Sequence, residues 1–294
     1  MKVFVTGASG WVASAVIPEL LAAGHTVSGL ARSDASAAEV ERRGAAVVRG
    51  TLTDVEVIAE AARAADGVVH LAFPHENMHD MVAAAATERA ALEAVTDALA
   101  GSGKPYIAAS GTPTTPGRPT TEDDSLPAEG PAAARGINDL LLRRAADKGV
   151  RSAVVRLPRS VHGEGDRHGF VSQLVRMFKA AGTAMYVGDG TNRWCAVHVA
   201  DAARLFRLAL ENAPAGAALH AVGDEGIPVR TIAEALAARL DLPTRSVEPS
   251  ALGFYGLMQT VDHATTAAKT RALLGWEPTH PGLLDDIAAG HYDG

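Results

Sequence analysis

Residues able to do chemistry cluster first at the start of the chain, in Val3-Phe4-Val5-Thr6-Gly7-Ala8-Ser9-Gly10 followed by Trp11, Val12 and Ala13. A short apolar run enters a glycine turn, and the turn opens a segment whose apolar residues (Val12, Val16, Leu20) recur at helical spacing. Gly7 permits the tight turn, Gly10 lets the backbone approach a pyrophosphate, and the amides of a helix start hold its charge. Ala13 sits where a helix must pack closely on a strand. Gly7, Ser9, Gly10, Trp11 and Val12 therefore read as a dinucleotide cradle. The bare glycine pattern is weak; the strand–turn–helix context carries it.

The end of the second strand selects between two dinucleotides. An acidic residue there would bind a ribose 2′-hydroxyl and repel a 2′-phosphate. This chain has Ala31-Arg32-Ser33 instead. Arg32 offers a planar fork for phosphate and Ser33 a hydroxyl donor, so the expected cofactor is NADPH/NADP+. Asp34 reads as a turn or cap residue. Further cofactor contacts are expected at the ends of later strands. Leu52, with Thr53 and Asp54, would lie near the adenine, with Asp54 also suited to capping the next helix. Leu71, Ala72 and Phe73 end the fourth strand, and Ser110 ends the fifth.

These positions presuppose an alternation of elements. Strands are expected at Lys2–Thr6, Thr26–Ala31, Ala45–Val48, Gly67–Phe73, Pro105–Ala109 and Ser152–Leu157. Helices are expected at Trp11–Ala23, Ala37–Arg43, Val55–Ala65, Asn77–Leu99 and Ala132–Lys148. Strands separated by helices imply right-handed crossovers and a parallel sheet covered on both faces. The fold class is α/β, a Rossmann-like doubly wound parallel sheet with a smaller C-terminal substrate-binding lobe. Residues 1–160 would form the dinucleotide-binding domain, with a return segment near 194–222, and residues 161–294 the lobe. Within the lobe the spacing predicts helices at Phe170–Ala181, His198–Leu210, Val229–Leu240 and Ala264–Leu274, and a strand at Leu219–Val222. Gly111–Pro131 is a long loop leaving a strand end that should face the cofactor.

Composition excludes several classes. The chain has 294 residues, 47% of them apolar, and a net charge of −7. That is globular, and it argues against a broad nucleic-acid-binding face. Cys195 is the sole cysteine, which fits a reducing compartment. No apolar stretch reaches the ~20 residues that span a bilayer, and no secretory signal precedes the first strand, so a cytoplasmic protein with no membrane partner is expected. His75, Asn77 and His79 would line a pocket mouth, but no carboxylate joins them at metal-ligand spacing, and no metal is expected.

The string Thr-Gly-Ala-Ser-Gly-Trp-Val-Ala resembles the cofactor loop of the extended short-chain dehydrogenases/reductases, the NAD-dependent epimerase/dehydratase group. Val155-Arg156-Leu157-Pro158 and Val161-His162-Gly163-Glu164-Gly165 resemble the segment that lines the nicotinamide, which implies contacts from Pro158 and Ser160. Ala196-Val197-His198-Val199 with Asp201, and Leu274-Gly275-Trp276-Glu277-Pro278, are further strings of that family. The family carries a Ser or Thr after the fifth strand and then Tyr-x-x-x-Lys. Counting back from Gly149 sets the lysine position at Arg135 and the tyrosine position at Pro131, with Asp139 at the family's acidic helix position. The chain thus resembles an atypical subgroup, which includes polyketide (angucyclinone) ketoreductases, that keeps the cofactor site without the acid/base pair.

Hydride transfer needs alignment more than acid/base groups, but the alkoxide it forms needs a proton. Ser110 or Thr112 could relay one, and His162 could act as a general acid near neutral pH. The substrate could also supply its own, from a phenol beside the ketone. Arg135 could orient substrate or face water. Arg193 falls where relatives grip phosphates or sugars, and Trp194 could wall an aromatic substrate or belong to the core. The expected activity is NADPH-dependent reduction of a bulky, aromatic secondary-metabolite ketone by a monomer or homodimer. The alternatives are a nucleotide-sugar epimerase or dehydratase, which leans harder on the tyrosine, and a non-enzymatic NADPH-sensing regulator.

Overall fold

The computed structural model describes residues 1–74, 80–126, 129 and 133–293. His75, Asn77, His79 and Pro131 lie outside the described residues. A seven-stranded sheet is built from β1 (Lys2–Thr6), β2 (Thr26–Ala31), β3 (Ala46–Arg49), β4 (Gly67–His70), β5 (Pro105–Gly111), β6 (Arg151–Leu157) and β10 (Ala217–His220), in the order β10-β6-β5-β4-β1-β2-β3. Every pairing in it is parallel. The fold is the Rossmann-like α/β sheet. Strand order reverses between β1 and β4, where Thr6 pairs with His70, so the two neighbouring carboxyl ends form the crevice at which such sheets bind ligands.

Alternation along the strands divides the core. Val3, Val5, Val69, Ile107, Ala153 and Val155 face one cluster with α1 (Trp11–Ala22) and α7 (Val199–Asn212). Phe4, Val68, Tyr106, Ala108 and Val154 face the other, with α3 (Val55–Ala64), α4 (Met81–Leu99) and α5 (Ala133–Arg144). Thr6, His70, Ser110 and Arg156 follow the second set by period, and that puts them beneath α4 and α5.

A separate apolar cluster gathers α6 (Phe170–Ala181), β8 (Ala184–Val187), α8 (Val229–Leu240) and α11 (Leu283–Ala288). Two small sheets serve it: β7 (Ser160–His162), β9 (Arg193–His198) and β11 (Asp224–Pro228) in the order β11-β9-β7, and β8 with β12 (Thr244–Val247). Two further helices, α9 (Gly253–Gln259) and α10 (Ala268–Leu274), follow β12. The described part of the expected Gly111–Pro131 loop is anchored to α10 and the stretch that leads into it. Thr120 bridges to Thr265, and the Glu122 carboxylate accepts from the amide and hydroxyl of Thr270 at 2.8 Å each.

Some boundaries differ from expectation. Helix α2 (Asp34–Arg42) begins three residues before Ala37, because Ser33 and Ser36 form a reciprocal capping box. Helix α5 gives way to a 3-10 turn at Ala145–Lys148, and α10 begins at Ala268. Strand β10 lies two residues before the expected Leu219–Val222.

Candidate functional site

The turn between β1 and α1 is held from two sides. Gly7 has φ +67°, and a Cβ there would fall 2.7 Å from the amide nitrogen of Ala72 and 2.8 Å from the carbonyl carbon of Leu71. Only glycine supplies both the dihedral and the clearance. From behind, Arg43 donates through Nη1 to the carbonyls of Ala8 (2.7 Å) and Gly10 (2.9 Å) and through Nη2 to that of Ser9 (3.2 Å). Glu39 accepts from its Nε at 2.7 Å. With the carbonyls turned toward Arg43, the opposite side of the turn is left to amides. Gly10 is the N-cap of α1, and Ala13 is buried where that helix meets the sheet. The cradle therefore fits a dinucleotide pyrophosphate: Gly7, Ser9, Gly10, Trp11 and Val12 would hold it, with Leu71 and Ala72 as the opposite wall. Arg43 was missed by sequence reading, since a cation ending a short helix looks like an ordinary helix cap.

The remaining cofactor candidates are placed as follows. Arg32 is exposed at the end of β2. The Ser33 hydroxyl accepts from the Ser36 amide at 3.2 Å, so its first role is to cap α2. Leu52 packs against the α3–α4 side of the core. Asp54 occupies the N-cap position of α3, but its carboxylate turns back to the Thr51 amide (2.7 Å) and hydroxyl (2.8 Å), which replaces the expected capping bond. Pro158 and Ser160 are buried just past β6.

The catalytic candidates do not converge. Ser110 is buried opposite Arg156 and lines a cavity of about 10 Å³ with Glu88, Arg135, Asn138 and Asp139. That is room for about one water. Thr112 turns the other way, its hydroxyl 2.9 Å from His263 Nε2. His162 is buried with Nδ1 2.5 Å from Asp286 and its ring edge-on to His198. Its neighbours are not those of Ser110, so the fold separates His162 and Thr112 from the cavity that Ser110 lines.

Arg135 does not simply face water. Its guanidinium lies 4.2 Å from the Phe73 ring centroid and 3.9 Å from the Glu88 carboxylate. Glu88 also accepts from Asn138 Nδ2 at 2.7 Å, and burial raises its carboxyl above the usual range. Asp139, the acidic helix position of the resemblance, makes a two-pronged pair with Arg156 at 2.9 Å each. Arg193 spends both prongs on Asp262, at 3.1 and 2.7 Å, and Trp194 is buried in the second apolar cluster. Among the described residues no group of three or more His, Cys, Asp or Glu could hold a metal ion, and no helix is long and apolar enough to cross a membrane.

A dinucleotide cradle at the switch point of a doubly wound sheet defines a nucleotide-dependent α/β oxidoreductase class of protein. Residues 3–222 match the NAD dependent epimerase/dehydratase family, and the chain belongs to that family. It is 41% identical over 298 residues, 99% of each chain, to the uncharacterized protein YLL056C of Saccharomyces cerevisiae. It is 28% identical to the 4-hydroxy-2-methyl-3-oxo-4-farnesyl-3,4-dihydroquinoline-1-oxide ketoreductase of Stigmatella aurantiaca, over 74% of this chain and 66% of that one. The dTDP-glucose 4,6-dehydratase DesIV of Streptomyces venezuelae superposes with a TM-score of 0.81, covering 99% of this chain and 96% of that chain at 22% identity, a likeness of fold.

Proposed function

We propose that the protein is an NADPH-dependent ketoreductase acting on a bulky, aromatic secondary-metabolite ketone. The observation that carries this reading is the pairing of a fitted dinucleotide cradle with a reaction-side cavity whose hydroxyl is Ser110 and whose cation is Arg135. The bound dinucleotide would supply a hydride. Ser110 would hydrogen-bond the substrate carbonyl and orient it. Arg135, stacked on Phe73 and paired with Glu88, would hold the side of the site that the family gives to lysine. The four tyrosines support the absence of the usual acid. Tyr106 is sealed inside β5, Tyr186 lies in β8, Tyr255 in α9 and Tyr292 near the C-terminus. The proton then comes from water at Ser110 or from a phenol of the substrate itself. We assign residues 1–160 with the 194–222 return to the cofactor and the remainder to the substrate lobe. Relatedness to a ketoreductase agrees with this reading. The nucleotide-sugar alternative is disfavoured by Arg193, which Asp262 already holds through both prongs.

NADPH oxidation with a panel of polycyclic aromatic ketones tests the reading. We expect turnover, a roughly 10- to 100-fold lower kcat in Ser110→Ala with cofactor affinity retained, and an unchanged proton step in a folded His162→Ala. Turnover of a UDP- or dTDP-sugar in place of ketones would favour the epimerase. No turnover, with a protein partner whose affinity follows the NADPH/NADP+ ratio, would favour the sensor.

A further inference from the structure

Arg159 follows directly on Pro158 at the carboxyl end of β6, on the side that faces the second apolar cluster. Its Nη1 donates to the Met258 carbonyl at 2.6 Å, and its guanidinium carbon lies 5.7 Å from the Trp194 ring centroid. Its Nε is buried and has no partner. Among the described residues no carboxylate lies within ion-pair distance of it, and partial burial lowers its guanidinium to about 10. Arg156, the fully buried arginine of β6, is by contrast paired with Asp139. Arg159 is only partly exposed, and a half-desolvated cation without a counter-charge is one that a bound anion would stabilise.

The surroundings repeat the pattern. Trp194 is 1% exposed and its Nε1–H has no acceptor; His263 is 3% exposed and its Nδ1 has no partner, while its Nε2 meets Thr112. The two are joined by a backbone bridge. Burial and the Arg159 charge push the His263 imidazole down to about 3, so it stays neutral and does not add to the positive charge. A partly exposed guanidinium without a carboxylate partner, beside an indole 5.7 Å away, suits a planar oxyanion.

We propose that Arg159, with Trp194 beside it, anchors a carboxylate of the substrate, so that the ketone accepted here is an oxo acid. Arg159 then sets substrate class as a binding residue. The proposal rests on the reductase reading only for turnover; anion binding is independent of it. A competing account makes Arg159 no more than a cation closing the last turn of α9 through the Met258 carbonyl.

The test uses 2-, 3- and 4-acetylbenzoate and their methyl esters, with the full-length protein saturated with NADP+. Calorimetry measures binding, and NADPH oxidation measures turnover in parallel. The expected result is that one acid binds at least about 30-fold more tightly than its own ester, about the worth of a desolvated charge pair. In Arg159→Gln the preference falls to near parity, and Arg159→Lys keeps part of it. Arg159→Lys also serves if the glutamine variant does not fold, as judged by circular dichroism. Acid preference without turnover of these small ketones upholds the anion site, and the polycyclic panel alone decides the reductase reading. No binding of any acid, equal binding of acid and ester, or a preference that survives in a folded Arg159→Gln overturns the proposal; the last of these leaves Arg159 as a helix cap.

Discussion

Arg43 grips the cofactor turn through three main-chain carbonyls, and Glu39 fixes its fourth contact. Losing it releases the carbonyls that point the turn's amides outward, so Arg43→Ala should weaken NADPH and NADH alike, by about tenfold or more at ~1.5 kcal/mol for a charge-assisted contact. Lysine cannot reproduce the fork and should not rescue. Arg32→Ala should behave differently, weakening NADPH far more than NADH; titration of both variants with both dinucleotides separates the roles, and equal losses in Arg32→Ala would remove the NADPH assignment. Two buried histidines add a pH term. Burial holds His70, beside Thr6, down to about 4 and His263 to about 3, against an ordinary 6.5. The unfolded chain takes up these protons near 6.5 and the folded chain does not. Their contribution is therefore complete above about pH 6.5 and is lost as the pH falls toward 4 and then 3, on the order of 3 kcal/mol for His70 and about 5 kcal/mol for His263. Urea denaturation across this range should show the slope, and His70→Gln or His263→Asn should each reduce it by one proton; an unchanged slope would mean the imidazoles are charged in the folded state.

Helix α5 is the element on which the candidate site depends. It carries Arg135 to Phe73, Asn138 to Glu88 and Asp139 to Arg156, three residues on one inward face. Arg156 also donates to the Asp124 carbonyl at 2.7 Å, which ties the long loop to the same point. Asp139→Ala would leave a fully buried guanidinium with carbonyls alone, and should cost about 3–5 kcal/mol in equilibrium unfolding. Adding Arg156→Met should recover much of that loss, whereas a double variant no more stable than Asp139→Ala would show that the pair does not bear the load. The Asp139 position was legible by counting along the helix, and its partner was not, because β6 offers no local sign of which residue its arginine meets. The amphipathic helices α6 and α8 were legible at both ends, since glycine or a charged turn closes a clear 3.6-residue period. Strands β8 and β12 were not, being four residues each with no alternation strong enough to outweigh loop composition. Arg43 and Arg159 share a further reason for silence: each meets its main-chain partners across 33 or more residues of sequence, and an arginine's type does not say whether it is paired.

At the scale of the molecule, the C-terminal stretch joins the large sheet to the second cluster. Trp276 is buried in the core of the sheet side, its Nε1 donating to the Asp201 carbonyl at 3.0 Å, while Leu283, Ile287 and Tyr292 complete the other cluster. Between them Asp286 holds His162, and the next residue back on β7, Val161, accepts from Trp11 Nε1 at 2.9 Å. A path of packed groups thus runs from the last helix to the first residue of the cofactor helix, which explains why His162 is enclosed in it. If this stretch fastens the two parts into one cooperative unit, removing Trp276 should be felt by both. Trp276→Ala should lower stability by about 3–5 kcal/mol through the cavity it leaves. The near-ultraviolet signal of the remaining tryptophans, Trp11 at the turn and Trp194 in the second cluster, should be lost at the same denaturant concentration as the far-ultraviolet helix signal. Separate transitions already present in the parent would show that the sheet and the lobe fold independently and that Trp276 joins nothing.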